Sequence, residues 1–259
     1  MHKTSALYKE LLADPNAQVE TRLTIGESGR LADEHGDVIT FGGTAILVAD
    51  SGPDSGYDED WLCAMDTEVQ AFDGPPSVGN TIAGMIHVDM LLPAAHIPRL
   101  ARLAPYIRLT DGIRASEWIR KGTYFLDCQT HNADDQDIQH LYLDGYDAMI
   151  RAEAPYPSSK LSWPAVDIDV VQEIAQAMGV SLDPRTVSAM TYGYRIPWPN
   201  DYSQREVLGF IAAMYGGNFL FSDYGELWLA QLAAIPVETR CLIDESGYRI
   251  TFGGDRILV

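Results

Sequence analysis

Apolar and polar residues alternate along several stretches of the chain. Val19, Thr21, Leu23 and Ile25 alternate with Glu20, Arg22, Thr24 and Gly26, which predicts a strand with one buried face. Glu27-Ser28-Gly29 is a turn signal, followed by strands at 38–41 and 45–48 that are broken by Gly42-Gly43. Residues 61–72 read as a strand that Gly74-Pro75-Pro76 closes. A long alternating run covers 81–92, with Ile82, Gly84, Ile86, Val88 and Met90 on one side. Residues 106–109 form a strand that turns at Thr110-Asp111-Gly112. Residues 123–130 and 138–145 form a hairpin over the polar loop 131–137. Short connections make this part antiparallel. A short helix over 5–12 precedes it, with Leu7, Leu11 and Leu12 on one face.

Beyond about residue 146 the period changes. Residues 147–153 read as a short helix, and Pro155-Tyr156-Pro157-Ser158-Ser159 as a linker. Asp167 is expected to cap a helix with Val170, Val171, Ile174, Ala175 and Met178 on one face and Gly179 at its end. Ser203-Gln204-Arg205-Glu206 is a capping box. It opens a helix whose stripe is expected to be Val207, Phe210, Ile211 and Met214, ended by Gly216-Gly217. Residues 219–221 and 227–229 form a hairpin around Ser222-Asp223-Tyr224-Gly225-Glu226. The fold class is therefore α+β: mainly antiparallel β, with a small helix–helix–hairpin unit.

An internal repeat stands out. Val19-Glu20-Thr21-Arg22 recurs as Val237-Glu238-Thr239-Arg240, and Glu27-Ser28-Gly29 as Glu245-Ser246-Gly247. Ile39-Thr40-Phe41-Gly42-Gly43 recurs as Ile250-Thr251-Phe252-Gly253-Gly254, and Ile46-Leu47-Val48 as Ile257-Leu258-Val259. The order is kept, as in a duplicated strand–turn–strand module. The second copy stops in mid-strand. That predicts either a chain continuing past Val259 or a last strand that pairs with another subunit. The domain organisation expected is 1–154 β-rich, 155–235 small α+β, and 236–259 the start of a second module.

The 259 residues are 46% apolar and 21% charged, enough for a packed core. With 18 Lys and Arg against 37 Asp and Glu, the net charge is −19. Such a surface repels nucleic acid and anionic lipid, so specific nucleic-acid binding is not expected. No run of 18 or more apolar residues appears, so no membrane span is expected, and the polar stretch after Met1 does not lead one to expect a secretory leader. Cys63, Cys128 and Cys241 are too few and too scattered for a disulfide framework, and read as structural thiols in a reducing compartment.

No catalytic, cofactor-binding or metal-binding residue is assigned, and no cofactor is expected. Gly26-Glu27-Ser28-Gly29 departs from a nucleophile elbow because position 30 is Arg. His131, Asp134, Asp135, Asp137 and His140 are donor types for a cation but lack EF-hand or zinc spacing, and read as a solvated loop. The stretch 49–60, acidic from Asp54 to Asp60, reads as a mobile surface loop with almost nothing to bury. Trp118, Trp163, Trp198 and Trp228 are assigned to packing rather than ligand stacking.

The run Ser116-Glu117-Trp118-Ile119-Arg120-Lys121-Gly122-Thr123-Tyr124-Phe125-Leu126-Asp127, with Gly145-Tyr146-Asp147-Ala148-Met149, resembles tail proteins of tailed bacteriophages and prophages, of the baseplate or tail-tip hub type. Further matches are Trp163-Pro164, Met178-Gly179-Val180, Pro199-Asn200-Asp201-Tyr202, Arg205-Glu206-Val207-Leu208-Gly209, Gly216-Gly217-Asn218-Phe219 and Asp223-Tyr224-Gly225-Glu226-Leu227. Leu7-Tyr8-Lys9-Glu10-Leu11-Leu12 also fits; the resemblance otherwise spans about 80–235. It implies a virion structural protein, not an enzyme, with two barrel-like modules per subunit. Three subunits would then present six modules to a sixfold tail tube. Implied partners are further copies of itself, as a homotrimer, and other tail proteins. The implied location is the virion tail, after synthesis in the host bacterial cytoplasm. Acidic residues lining a bore would repel DNA passing through it. Two alternatives stand: a distal-tail or host-surface carbohydrate-binding module, which an exposed aromatic cluster would favour, and the N-terminal part of a tail-associated cell-wall hydrolase.

Overall fold

The computed structural model describes residues 4–26, 40–41, 44–45, 53, 56–72, 74–93, 97–133, 138–232, 251–252 and 255–256. Helix α1 (Ala6–Leu12) opens the fold, its first turn capped by the Ser5 hydroxyl accepting from the Tyr8 N–H. An antiparallel sheet follows, built from β1 (Gln18–Gly26), β4 (Leu62–Glu68), β5 (Met85–Leu91), β6 (Arg102–Thr110), β8 (Tyr124–Ala133) and β9 (Gln139–Tyr146). Their order across the sheet is β1-β6-β8-β9-β5-β4, and the short β7 (Ile119–Arg120) pairs with β6.

The alternation read from the sequence sets the sheet's two faces. Ile86, Val88 and Met90 of β5 and Leu141 and Leu143 of β9 are buried, with Leu23, Leu103, Tyr124 and Leu126. Their neighbours His87, Tyr142 and Asp144 lie on the outer face. In β1 the expected burial is only partly realised: Leu23 is buried, but Val19 is exposed, and Thr24 is buried on the other side, donating to the Ala104 carbonyl.

The sheet does not close into a barrel. Among the described residues its edges approach where Leu23 and Tyr57 exchange backbone hydrogen bonds of 2.8 and 2.7 Å just before β4, and where Arg22 donates to the Pro53 carbonyl at 3.1 Å. Tyr57 packs against the sheet core, so the stretch read as a loop with nothing to bury does contain an anchor. Asp54 lies outside the described residues.

A second core gathers the rest. A 3-10 helix (Ala148–Glu153) leads to β10 (Ala165–Val166), α2 (Asp167–Met178), α3 (Pro184–Ala189), β11 (Arg195–Ile196), α4 (Gln204–Met214), β12 (Gly217–Phe221) and β13 (Leu227–Gln231). Val170, Val171, Ile174, Ala175 and Met178 of α2 are buried as expected, and Gly179 ends the helix at φ 74°. The capping box of α4 is present.

Two expectations are corrected. Phe210 and Met214 are 54% and 42% exposed, and the buried face of α4 runs through Val207, Leu208, Ile211 and Ala212, so the stripe is rotated towards Leu208. Asp167 does not cap α2; Val166 holds that position. The Asp167 carboxylate is buried instead. It accepts from the Tyr194 N–H at 3.1 Å and from the Tyr215 hydroxyl. That contact raises the Tyr215 phenol pKa, second to burial.

The described parts of the repeat agree in backbone pairing. β2 (Thr40–Phe41) and β3 (Thr44–Ala45) form an antiparallel pair with Phe41 opposite Thr44. β14 (Thr251–Phe252) and β15 (Asp255–Arg256) form the same pair with Phe252 opposite Asp255. Both pairs flank a Gly-Gly dipeptide, the sequence that two-residue hairpins favour. The remaining matched stretches of the second copy, and 27–39 and 46–48 of the first, lie outside the described residues.

Candidate functional site

Several of the motifs that carry the family resemblance, those around Asp147, Arg205 and Asn218, lie at the seam between the two cores. At Gly145 β9 packs closely against its neighbours. A Cβ there would come within 2.9 Å of the Phe125 carbonyl oxygen and 3.1 Å of Ile86, so only glycine fits without a shift. Two residues on, Asp147 is 4% exposed and accepts from the Gly84 N–H at 2.7 Å and the Met149 N–H at 2.9 Å. One carboxylate thus caps the 3-10 helix and holds the approach to β5. Burial raises its pKa to about 6, against the lowering pull of those two N–H groups and of Arg205. Ala148 and Met149 fill the adjoining core.

Asn218 does comparable work from the other side. It is fully buried; its Nδ2 donates to the Ala71 and Ser77 carbonyls at 2.8 and 2.9 Å, and its Oδ1 accepts from the Asn80 N–H at 2.8 Å. Backbone bonds from Gly79 to Gly217 and from Phe219 to Asn80 run alongside. Arg205 donates to the Thr81 carbonyl at 2.7 Å and pairs with Glu153. Gly122, with φ 144°, lies under the Tyr124 ring, and Thr123 reaches the Asp223 carbonyl at 3.3 Å. The motif residues are therefore joints, and among them no nucleophile–base pair is assembled.

Four surface features remain among the described residues. The first is the outer edge of β4. Among the described residues it takes part in no backbone pairing beyond β5, and Cys63, Ala64, Asp66, Thr67 and Glu68 are exposed. The second is a cleft of about 220 Å³ bounded by Glu20, Thr21, Arg22, Asp58, Glu59, Asp60 and Trp118. The Arg22 and Arg108 guanidiniums lie 4.9 and 4.4 Å from the Trp118 ring centre, and Arg108 pairs with Glu20 at 2.5 Å. The acidic stretch thus forms a wall beside paired cations.

The third is aromatic. Tyr156, Trp163 and Trp198 meet edge to face, with ring centres 5.1 to 5.9 Å apart, and Trp198 is 41% exposed. None of the four tryptophans assigned to packing is fully buried: Trp118, Trp163 and Trp228 are half-buried.

The outer face of the sheet carries two crossed pairs. His140 Nδ1 lies 2.8 Å from Asp89 Oδ1, and His87 Nδ1 lies 2.6 Å from Asp144 Oδ1. The expected donor loop is thus corrected in part. His131 and His140 belong to strands, Asp134, Asp135 and Asp137 lie outside the described residues, and His140 joins Asp89 and Cys63. Cys63 and Cys128 are exposed rather than packed as structural thiols. Desolvation, then the Asp89 carboxylate, raises the Cys63 thiol pKa. Sequence spacing could not find this cluster, because three different strands supply its members.

Among the described residues no helix is long and apolar enough to cross a membrane. No protein-family model and no curated protein matches the chain. Solved structures similar to it include the 43 kDa tail protein of prophage MuSo2 from Shewanella oneidensis, at 12% identity and TM-score 0.49, over 83% of this chain and 56% of that one. The tail protein of Neisseria meningitidis MC58 is similar at 13% identity and TM-score 0.47, over 88% and 52%. A Francisella PdpA-VgrG complex is similar at 10% identity and TM-score 0.41, over 82% and 31%. The chain thus spans about half the length of the first two.

Proposed function

We propose that this chain is a structural subunit of a phage or prophage tail tip or baseplate hub, in which copies close into a ring that joins the tail tube to tip proteins. The observation that carries this reading is the duplication. The same strand–Gly-Gly–strand pairing occurs at Thr40–Ala45 and at Thr251–Arg256, and two like modules per subunit let three subunits present sixfold contacts. The β4 edge, unpaired among the described residues, supports it, since an open edge is a template for strand pairing with a second copy. On this reading the chain is non-enzymatic, acts by packing, and divides as 1–154, 155–235 and 236–259. It is made in the host cytoplasm and works in the virion tail, with other tail proteins as partners.

The test is the solution mass of the full chain by light scattering and native mass spectrometry. The expected result is three times the 28.6 kDa chain mass. A monomer at every concentration up to that of a crowded tail assembly overturns the ring.

One observation favours a second reading, a host-surface carbohydrate-binding module. The Tyr156–Trp163–Trp198 cluster presents an exposed ring on the small α+β unit. Quenching or shifting of tryptophan fluorescence by host cell-wall polysaccharide, lost in Trp198→Ala, supports this role. An unchanged spectrum removes it.

A further inference from the structure

We propose that Cys63, Asp89 and His140 form a zinc-binding site on the outer face of the sheet. The argument starts from pairing register. Asp89 on β5 stands opposite Ala64 on β4 and Tyr142 on β9, and Leu91 stands opposite His140. Asp89 and His140 are therefore diagonal neighbours on one face, close enough for their side chains to meet at 2.8 Å.

Cys63 reaches the same spot through a bulge. Leu62 pairs with Met90 and Ala64 with Asp89, so two steps on β4 match one on β5, and Cys63 is the extra residue. A bulge re-aims a side chain that regular alternation would place elsewhere. The three donor atoms all lie within 4.8 Å of one another.

The donor chemistry selects the metal. One thiolate, one imidazole and one carboxylate suit zinc better than calcium or magnesium, which take oxygen ligands. Zinc bonds of about 2.0–2.1 Å to N and O at a tetrahedral angle need an N···O spacing of roughly 3.3 Å. The observed 2.8 Å must open by about 0.5 Å, a side-chain rotation rather than a backbone move. A fourth, open position would hold water.

The second His–Asp pair on the same face, His87 with Asp144, is an internal contrast. Its two residues stand directly opposite rather than diagonal, with Nδ1 and Oδ1 2.6 Å apart, and no third donor completes it among the described residues. Bound zinc would cross-link the edge strand β4 to β5 and β9.

The test uses the full chain, stripped with a chelator and titrated with zinc by calorimetry and with cobalt by absorption. One cobalt ion per chain with a thiolate-to-cobalt charge-transfer band is expected. Cys63→Ser should abolish the band and weaken zinc by roughly 100-fold or more, beyond the loss of an outer-shell partner. His140→Gln should weaken zinc comparably, while Cys128→Ser and His87→Gln should keep both band and affinity. Because Cys63 is exposed, its serine variant should fold, which circular dichroism checks. No thiolate band in the wild type, a band that survives Cys63→Ser, or a band lost in Cys128→Ser each overturns the site.

Discussion

Replacing Asp147 by Asn isolates a single buried charge at the seam. In the folded chain its carboxyl titrates near about 6, whereas an unfolded carboxyl titrates near about 3.9. Desolvation outweighs the Gly84 and Met149 N–H groups and the Arg205 charge that favour the anion. A folded value above the unfolded one means that the native state binds more protons in the interval between them. Stability from this group is then fully present below about pH 4 and lost as pH rises past about 6. A gap of about two pH units corresponds to about 3 kcal/mol. Asn cannot titrate, so the wild-type-minus-variant difference should fall by about 3 kcal/mol between roughly pH 3.5 and 7, whatever fixed cost the amide adds through its lost acceptor. Urea unfolding followed by tryptophan fluorescence across that range gives the difference from midpoints and slopes. A flat difference refutes the reasoning. A difference that rises with pH would mean that the two N–H donors and Arg205 outweigh burial.

Three further changes probe the packing. Asn218→Ala removes three hydrogen bonds that hold 71–80 and should cost about 2–4 kcal/mol by thermal denaturation, with faster amide exchange at Ser77–Asn80. Gly145→Ala places a methyl against the Phe125 carbonyl and should destabilise by about 1–3 kcal/mol in the same assay; an unchanged midpoint would mean that β8 gives way freely. Tyr215→Phe deprives the buried Asp167 of a donor and should cost about 1–3 kcal/mol in urea unfolding at neutral pH.

Much of the sheet was legible because one face of β5 and of β9 is dry. The alternation over 81–92 sets Ile86, Val88 and Met90 on one side, and that side is buried. Helix α4 was less legible. Its apolar residues extend around more than one face, so periodicity alone cannot say whether Phe210 or Leu208 turns inward. Strand β6 is longer than predicted, since Pro105 lies inside it and proline argues against a strand interior. Helix α3 is a single short turn begun by Asp183 and Pro184, too brief for a periodic signal. The Cys63 cluster depends on a bulge and two strand pairings, and register is set by tertiary contacts that no local pattern records.

The joints at Gly84, Asp147 and Asn218 have a mechanical consequence. The helical unit is not tethered by a flexible hinge at the rim of the sheet. It grips the stretch entering β5 and the end of β9, two strands that are hydrogen-bonded on both sides. A push or twist on that unit is therefore delivered inside the sheet and spread along whole ladders of backbone bonds.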